Sequence, residues 1–252
     1  MDKVLCNIED GIAYVTLNYP EKANALILEV KETIANIFRG LRFDHSVRAV
    51  IISANGKHFC AGGDIKSMEG IDTVHGRDRM RKSGDWIKEI ANLEKPIIAA
   101  VNGVAAGAGL SIALACDFII ASDNSKFISS FINIGLVSDN AGLYFMPRRI
   151  GLAKTKQISF NGKPVIAEEA LRIGLIDRIV PLEELQDAAK SMAKEFVNKP
   201  TYILGMTKKL ANASFETDFN TFLDMEVNYQ AIAFQTDDHK KAVKEFLNKE
   251  TE

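Results

Sequence analysis

Three segments of the 252-residue chain contain residue types that could carry chemistry. Two are rich in glycine and alanine: residues 57–65, KHFCAGGDI, and residues 95–117, KPIIAAVNGVAAGAGLSIALACD. The third, residues 127–142, is mostly apolar, and Asp139 is its one carboxylate. In the first two segments small residues stand where a helix is expected to start. The backbone there can come close to a ligand and leave N–H groups available to donate.

The two glycine-rich segments together suggest an oxyanion hole. One N–H from each would hold an oxygen that gains negative charge in the transition state, and each donor can contribute about 3 kcal/mol. A dinucleotide loop needs GxGxxG with an acidic residue about 20 positions later, and Gly103, Gly107 and Gly109 have a different spacing. The GK[ST] ending of a phosphate loop is absent. Taken alone, residues 57–65 also fit a plain strand-to-helix turn.

Asp139 has two interpretations. Asp followed by Asn140 is typical of a turn or of a helix N-cap. Alternatively, Asp139 is the one proton-handling group of an active site, where an apolar lining would raise its pKa and keep water out. The side chains expected to form that lining are Phe131, Ile134, Leu136 and Val137.

The elements that would position these segments alternate between strand and helix. Apolar runs and helical periodicity predict a hairpin (Val4–Ile8 and Ile12–Leu17), helices over Ala25–Phe43, Asp78–Leu93 and about 107–116, and strands over Val47–Ser53, Ile97–Val101 and Phe118–Ala121. This rhythm favours an α/β core with parallel strands over residues 1–195.

Residues 196–252 have a different character, because strand signals disappear. Pro200 is expected to open one helix and Ser214 to cap another. The second helix has a broad apolar face made of Phe215, Phe219, Phe222, Leu223, Tyr229, Ala233 and Phe234. So many aromatic residues on a terminal helix suit a subunit interface, with packing against the chain's own core as the alternative.

The composition excludes several classes of function. A net charge of −2 with scattered basic residues provides no basic field for nucleic acid. No apolar run is long enough to span a membrane, and the three cysteines lack metal-binding spacing. The start of the chain has no apolar signal region or arginine-rich presequence. The expectation is a cytoplasmic protein without a metal.

The glycine-rich segments, AGGDI and KPIIAAVNGxAxGxG, resemble those of the enoyl-CoA hydratase/isomerase (crotonase) superfamily. The resemblance continues in PEKANAL (20–26), in AEEALRIGLID (167–177) and in the helical tail, and it covers essentially the whole chain. It implies an α/β fold, a spiral of repeated ββα units with a C-terminal helical trimerisation region. A homotrimer, or a hexamer formed as a dimer of trimers, is the implied assembly.

The resemblance also implies an acyl-CoA thioester as ligand, with coenzyme A as part of the substrate and no separate cofactor. The thioester oxygen would lie between the N–H groups of Gly63 and Ala108. Substrate or CoA contacts are implied at Ala23, Ala25, Ala61, Asp64, Ile65, Lys66, Gly107, Ser111 and Phe131. In the tail, Phe234, Phe246 and Lys249 match positions that help to hold the nucleotide part, often from a neighbouring subunit.

The sequence departs from the family's hydratases at both catalytic carboxylates. Those enzymes use two glutamates to activate water, and the corresponding residues here are Ser111 and Phe131. Phenylalanine cannot transfer a proton, and serine is a poor base without a partner. Asp139 lies eight residues beyond Phe131, where the family's dienoyl-CoA isomerases, ring-opening isomerases of phenylacetyl-CoA catabolism and aryl-CoA dehalogenases use a carboxylate.

The combination of Phe131 and Asp139 looks most like the ring-opening isomerase group, whose members resemble Δ3,Δ2-enoyl-CoA isomerases in activity. The prediction is an acyl-CoA isomerase that moves a double bond through an enolate, with Asp139 as base and acid. An enoyl-CoA hydratase with a poorer carboxylate and a non-catalytic acyl-CoA binder are the alternatives.

Overall fold

The computed structural model describes residues 2–249, apart from the side chains of Ser83 and Lys249. The chain divides into two compact units, Met1–Val197 and Asn198–Glu252. The first unit contains the strands found in the described chain: β1 (Val4–Glu9), β2 (Ile12–Leu17), β3 (Ala49–Ala54), β4 (Ile97–Val101), β5 (Val104–Ala106), β6 (Phe118–Ser122), β7 (Lys126–Ile128), β8 (Val165–Ile166) and β9 (Arg178–Val180).

Two sheets organise the first unit. The larger sheet has the order β1-β2-β3-β4-β6-β9, and the smaller has the order β5-β7-β8. The predicted hairpin of β1 and β2 is confirmed as antiparallel, and its turn places Asp10 and Gly11 at φ of 52° and 77°, as a type I′ turn requires. From β2 onward the neighbours in the larger sheet are parallel.

The helices follow the strands in chain order. They are α1 (Leu28–Phe43), α2 (Thr73–Ala91), α3 (Ala108–Ala115), α4 (Gly142–Asn161, with a break at Gly151), α5 (Ala167–Arg172) and α6 (Leu185–Val197) in the first unit. The second unit contains α7 (Thr201–Ala213), α8 (Phe219–Gln235) and α9 (Asp237–Lys249).

The ββα repeat is visible in the middle of the chain. Strand β4 lies in the larger sheet, β5 lies in the smaller sheet, and α3 follows; β6, β7 and α4 repeat the same order. Alternate residues of a strand point to opposite faces of the sheet, and in the central strands β3, β4 and β6 residues on both faces are buried. In β3, Val50 packs in one apolar cluster with Phe38, whereas Ile51 packs in a second cluster with Leu185 of α6.

Several element boundaries differ from the sequence prediction. Helix α1 begins at Leu28 and not at Ala25, because Asn24 has a φ of 56° and bonds the His58 carbonyl through its side chain. Helix α2 begins at Thr73, where the Asp72 side chain accepts a hydrogen bond from the His75 N–H. A side chain that accepts a hydrogen bond from a free N–H of the first turn stabilises the start of a helix. Helix α2 can therefore begin before the apolar periodicity that predicted it.

In the second unit the predicted cap at Ser214 is wrong. Ser214 ends α7, and the Asp218 side chain accepts hydrogen bonds from the first N–H groups of α8. None of the described side chains of α8 is buried in the chain on its own. A groove of about 630 Å³ lined by Met206, Leu210 and Phe234 separates α7 from α8. Self-association through this apolar surface stays a prediction.

Between residues 2 and 249, every helix is too short or too polar to cross a lipid bilayer.

Candidate active site

The first glycine-rich segment is anchored by backbone hydrogen bonds. The Leu26 N–H donates to the Gly62 carbonyl over 2.8 Å, and the Ala61 N–H donates to the Ala23 carbonyl over 2.9 Å. Gly62 has a φ of 97°, a conformation that favours glycine. A Cβ on Gly62 would lie 2.8 Å from the Ala106 carbonyl oxygen. Glycine at this position therefore lets the first segment touch the second.

The second glycine-rich segment turns at Gly107, which has φ of 51° and ψ of −122°. Helix α3 then begins at Ala108, close to the predicted start. A Cβ on Gly109 would lie only 2.4 Å from the Cys60 carbonyl oxygen, which itself accepts the Ala106 N–H at 2.9 Å. The structure brings the two glycine-rich segments into direct contact.

Gly63 and Ala108, the two predicted oxyanion donors, lie on these adjoining segments. The Ala108 nitrogen is 3.5 Å from the position that a Cβ on Gly62, the neighbour of Gly63, would take. Among the described residues, neither the Gly63 N–H nor the Ala108 N–H has a hydrogen-bond acceptor. Ala108 also opens a helix, so the partial positive charge of the helix N-terminus adds to its N–H. Two such donors can hold one anionic oxygen.

Asp139 lies before α4 and is fixed against α3. Its carbonyl oxygen accepts hydrogen bonds from the Ser111 hydroxyl at 3.0 Å and from the Gly142 N–H at 3.1 Å. Ser111 is fully buried and lies one helical turn after Ala108. The backbone of the predicted acid/base residue is thus held by the helix that begins at a predicted oxyanion donor.

The interpretation of Asp139 as a helix N-cap is wrong. The residue before α4 is Ala141, and no side chain caps this helix. Asn140 and Ala141 have φ of 49° and 59°, which costs a residue with a Cβ roughly 1–2 kcal/mol. Asp139 does begin a turn, but its carboxylate does not cap the helix. A strained backbone of this kind is typical of functional segments.

The environment of the Asp139 carboxyl favours its protonated form. Burial raises its pKa above the ordinary value for aspartate; a hydrogen bond from the Asn140 amide and the positive charges of Lys31 and Arg79 oppose this shift. Lys31, on α1, has its own pKa lowered by burial, whereas Asp139 acts to raise it. A carboxylate that accepts a proton more readily than an exposed aspartate suits a group that takes up and returns a proton.

Phe131 lies beside the second glycine-rich segment. It belongs to the 3₁₀ helix Ser130–Ile134, and its ring edge is 3.7 Å from where a Cβ on Gly107 would lie. An aromatic ring therefore packs next to the turn that leads to Ala108. The position predicted to correspond to a hydratase glutamate offers no proton-transferring group.

Asp139 is one of the residues that line a cavity of about 580 Å³. The cavity walls come from α2, through Met80, Gly84 and Ile87, and from the segment that includes Leu136. Among the described residues that line this cavity, Asp139 is the one with a carboxylate.

The predicted apolar enclosure of Asp139 is only partly present. Phe131 is half-buried, but Ile134, Leu136 and Val137 are 46%, 43% and 80% exposed. Leu136 and Val137 do line the cavity. The described residues of the first unit leave these three side chains exposed to this extent, so they do not close the cavity off from water.

The residues expected to contact coenzyme A fall around the first glycine-rich segment. Ala23, Ala25 and Asp64 are half-buried, whereas Ala61, Ile65 and Lys66 are exposed. Asp64 caps the 3₁₀ helix Ile65–Met68 by accepting the Lys66 N–H at 3.2 Å.

A second cavity, of about 370 Å³, lies beside this segment and includes Asp64 in its wall. Leu26, Lys31, Asp64 and Arg79 contribute to its walls. Asp64 is the wall residue that was predicted to contact coenzyme A, and the predicted contacts of Ala23, Ala25, Ala61, Asp64, Ile65 and Lys66 stay a prediction.

The tail residues belong to the second unit. Phe234, on α8, is 51% exposed and packs edge-on against the ring of His239. Phe246, on α9, is 64% exposed. The side chain of Lys249 lies outside the described residues.

Sequence reasoning missed four residues that act on Asp139. Lys31 and Arg79 provide positive charge, and Trp86 hydrogen-bonds Asn140, which hydrogen-bonds the Asp139 carboxylate. The signals available were weak: Asn140 directly follows Asp139, and Trp86 is the only tryptophan of the chain. Elsewhere in residues 2–249, no three His, Cys, Asp or Glu side chains come together as metal ligands.

Comparisons with known proteins identify the family of the chain. The family described as enoyl-CoA hydratase/isomerase matches residues 7–252, and the chain belongs to that family. A 1,2-epoxyphenylacetyl-CoA isomerase from Escherichia coli K12 is 33% identical over 254 residues, covering 99% of this chain and 97% of that protein. A short-chain-enoyl-CoA hydratase from Clostridium acetobutylicum is 33% identical over 250 residues, covering 99% and 96%.

The fold agrees equally well. The crystal structure of an enoyl-CoA hydratase from Mycobacterium smegmatis matches with a TM-score of 0.93 at 30% identity, covering 99% of this chain and 97% of that one. The predicted crotonase-like α/β fold is therefore confirmed.

Proposed function

We propose that the chain is an acyl-CoA isomerase that moves a double bond of an enoyl-CoA, with Asp139 as the acid/base group. The observation that carries the proposal is the placement of Asp139. Asp139 lines the 580 Å³ cavity, and its carbonyl oxygen accepts a hydrogen bond from Ser111, one turn from Ala108. One carboxylate that acts together with two backbone donors is sufficient for proton transfer next to a carbonyl.

The proposed reaction needs one proton to leave one carbon and return at another. Asp139 takes a proton from the carbon next to the thioester carbonyl of a 3-enoyl-CoA; the C–H electron pair moves into the carbonyl, and an enolate forms. The Gly63 and Ala108 N–H groups hold the enolate oxygen. Protonated Asp139 then returns the proton at the γ carbon, the carbonyl re-forms, and the double bond lies between the α and β carbons. No other reactant is consumed.

The groups around Asp139 fit both halves of this cycle. Burial raises the pKa of the carboxyl and favours proton uptake, whereas Asn140, Lys31 and Arg79 favour the ionised form that must be present at the start. A balance between these influences lets one group act first as a base and then as an acid. The E. coli relative that acts as a 1,2-epoxyphenylacetyl-CoA isomerase supports an isomerase assignment.

An enoyl-CoA hydratase is the second candidate. The C. acetobutylicum hydratase is as similar to the chain as the E. coli isomerase is. The exposure of Ile134, Leu136 and Val137 leaves water access to the cavity. Hydration is disfavoured because the two positions where the family's hydratases have glutamates are occupied here by Ser111 and Phe131.

The test is a panel of 3-enoyl-CoA, 2-enoyl-CoA and epoxyaryl-CoA esters, with products identified by mass and NMR. We expect an isomeric product of unchanged mass from a 3-enoyl or an epoxyaryl ester, and little gain of water by a 2-enoyl ester. Asp139→Asn keeps the shape of the side chain and should abolish turnover while CoA-ester binding, followed by calorimetry, is retained.

Two results would contradict the proposal. Rapid formation of 3-hydroxyacyl-CoA from a 2-enoyl ester would make the chain a hydratase. Tight ester binding without turnover of any of the three classes would make it an acyl-CoA binder.

A further inference from the structure

A chain of hydrogen bonds leads from the interior of the protein to the Asp139 carboxylate. The Trp86 indole N–H donates to Asn140 Oδ1 at 3.1 Å, and the Asn140 amide N–H donates to Asp139 Oδ1. Trp86 and Asn140 are 2% and 6% exposed, so water does not compete strongly for these bonds. The two residues are 54 positions apart in the sequence and meet only in the folded protein.

The indole sets the direction of the amide. An asparagine amide has an accepting side and a donating side of nearly the same shape, whereas an indole N–H can only donate. Trp86 therefore requires the Asn140 oxygen to face it, and the Asn140 N–H groups then point towards Asp139. Without the indole N–H, the amide could turn and present its oxygen to the carboxylate.

We propose that Trp86 and Asn140 are positioning residues for Asp139: they hold one carboxylate oxygen in place and leave the other for the substrate proton. Their effect on catalysis rests on the proposed function, whereas the link between Trp86 and the protonation of Asp139 does not. When one carboxylate oxygen accepts a hydrogen bond, the direction of the second oxygen is fixed as well. Transfer of one proton between two carbons requires such a fixed direction.

The backbone at Asn140 offers a clean variant. Its φ of 49° lies in the left-handed region, which glycine adopts at no cost. Asn140→Gly therefore removes the amide and keeps the turn. Asn133→Ala is a matched control, because the Asn133 amide lies in the same part of the chain but donates to the Gly162 carbonyl at 2.9 Å.

The charges around Asp139 stay in place in these variants. Lys31 of α1 and Arg79 of α2 both lower the pKa of Asp139, and Lys88 of α2 lines the same cavity. Any change between wild type and Asn140→Gly therefore reports the loss of the amide. Losing a hydrogen bond to the ionised form raises the pKa of a carboxyl.

The direction of the pH effect follows. If ionised Asp139 is required, kcat/KM falls as the pH drops through its pKa. Asn140→Gly and Trp86→Phe should both move that fall to higher pH. At the pH optimum we expect kcat to drop about tenfold in Asn140→Gly, which loses a hydrogen bond to a charged group. The drop should be smaller in Trp86→Phe, which loses a hydrogen bond between neutral groups, and KM should change less than about twofold in both.

The deciding experiment uses Trp86, the only tryptophan, as a fluorescence probe. Wild type and Asn133→Ala should show an acid transition in tryptophan fluorescence that is lost in Asp139→Asn and lost or reduced in Asn140→Gly. Far-UV circular dichroism at each pH shows that the proteins remain folded. An unaltered transition in Asn140→Gly, or an unchanged pH profile in Trp86→Phe, overturns the inference.

Failure of the proposed function gives a different pattern. In that case no substrate is isomerised, yet the fluorescence transition and its dependence on Asp139 and Asn140 persist. The fluorescence titration therefore tests the hydrogen bonds between Trp86, Asn140 and Asp139, and the kinetic measurements test whether these bonds contribute to catalysis.

Discussion

The contact between the two glycine-rich segments can be tested with Gly109→Ala. A Cβ on Gly109 would lie 2.4 Å from the Cys60 carbonyl oxygen, 2.7 Å from Cys60 Cβ and 2.9 Å from its Sγ, all shorter than the 3.0 Å that real Cβ contacts respect. Cys60 cannot easily move away. It is fully buried, and its backbone N–H donates to Val104 at 3.0 Å while its carbonyl accepts from Ala106 at 2.9 Å.

Two effects of opposite sign determine the size of the change. Alanine is favoured over glycine inside a helix by up to about 1 kcal/mol, whereas forcing extra volume into a packed site costs roughly 1–3 kcal/mol or more. The Cβ of Gly109→Ala would overlap a backbone atom of Cys60, which cannot rotate away as a side chain can. The packing cost should therefore exceed the gain in helix preference. With a packing cost of about 3 kcal/mol the net loss is about 2 kcal/mol, which lowers the Tm by about 4–8 °C, at about 2–4 °C per kcal/mol for a chain of this size.

Gly40→Ala is the matched control. Gly40 also lies in a helix, α1, and nothing is within 4 Å of the Cβ it would gain. Only the helix preference acts there, so the Tm should rise by about 2–4 °C. Thermal denaturation of wild type and both variants at one protein concentration gives the comparison, because self-association would make Tm depend on concentration. If Gly109→Ala melts at or above the wild-type temperature, the two segments do not touch as described.

Three further outcomes are expected. Ser111→Ala removes the 3.0 Å hydrogen bond to the Asp139 carbonyl and should lower the isomerase kcat about tenfold, with ester binding retained in calorimetry; an unchanged kcat would exclude a role for this bond. Burial raises the pKa of the Cys60 thiol to about 12, and Cys6 is the exposed cysteine. Ellman's reagent near neutral pH should therefore react with Cys6 in the native protein and with three thiols after denaturation; rapid modification of Cys60 would refute its burial. Because burial raises the pKa of Asp139 in the folded state, its contribution to stability is present at low pH and is lost as the pH rises through that pKa. Asp139→Asn should consequently gain stability relative to wild type as the pH is raised, in urea denaturation at two pH values, and a relative loss would contradict the assignment of burial as the dominant influence.

Local patterns were sufficient for the parts of the fold that depend on local physics. The β-branched run that forms β3 and the Asp10-Gly11 turn are short-range features, and the sequence prediction placed both. The glycines of the two segments predicted a backbone that can come close to a ligand, and that stays a prediction. What the structure shows is that a Cβ on Gly62 or Gly109 would strike the other segment of the same chain.

The remaining features arise from packing between distant segments. Nothing near Trp86 indicates that its indole reaches Asn140, and nothing near Lys31 indicates that it faces Asp139. The apolar types of Leu136 and Val137 suggested burial, but burial depends on which neighbours cover a loop, and none does within the first unit. The predicted helix cap at Ser214 was wrong because Asp218, four residues later, caps α8 instead. Its carboxylate accepts the first N–H groups of that helix.

The central claim is that one carboxylate carries a proton from the α carbon to the γ carbon. The most direct measurement uses a 3-enoyl-CoA deuterated at the α carbon, with the label in the product located by NMR. In wild type we expect 2-enoyl-CoA in which part of the molecules carry transferred deuterium at the γ carbon, because exchange with water that reaches the cavity competes with return of the deuteron. With Asp139→Asn we expect no product. Product formation by Asp139→Asn at the wild-type rate, or 3-hydroxyacyl-CoA as the main wild-type product, would contradict the central claim.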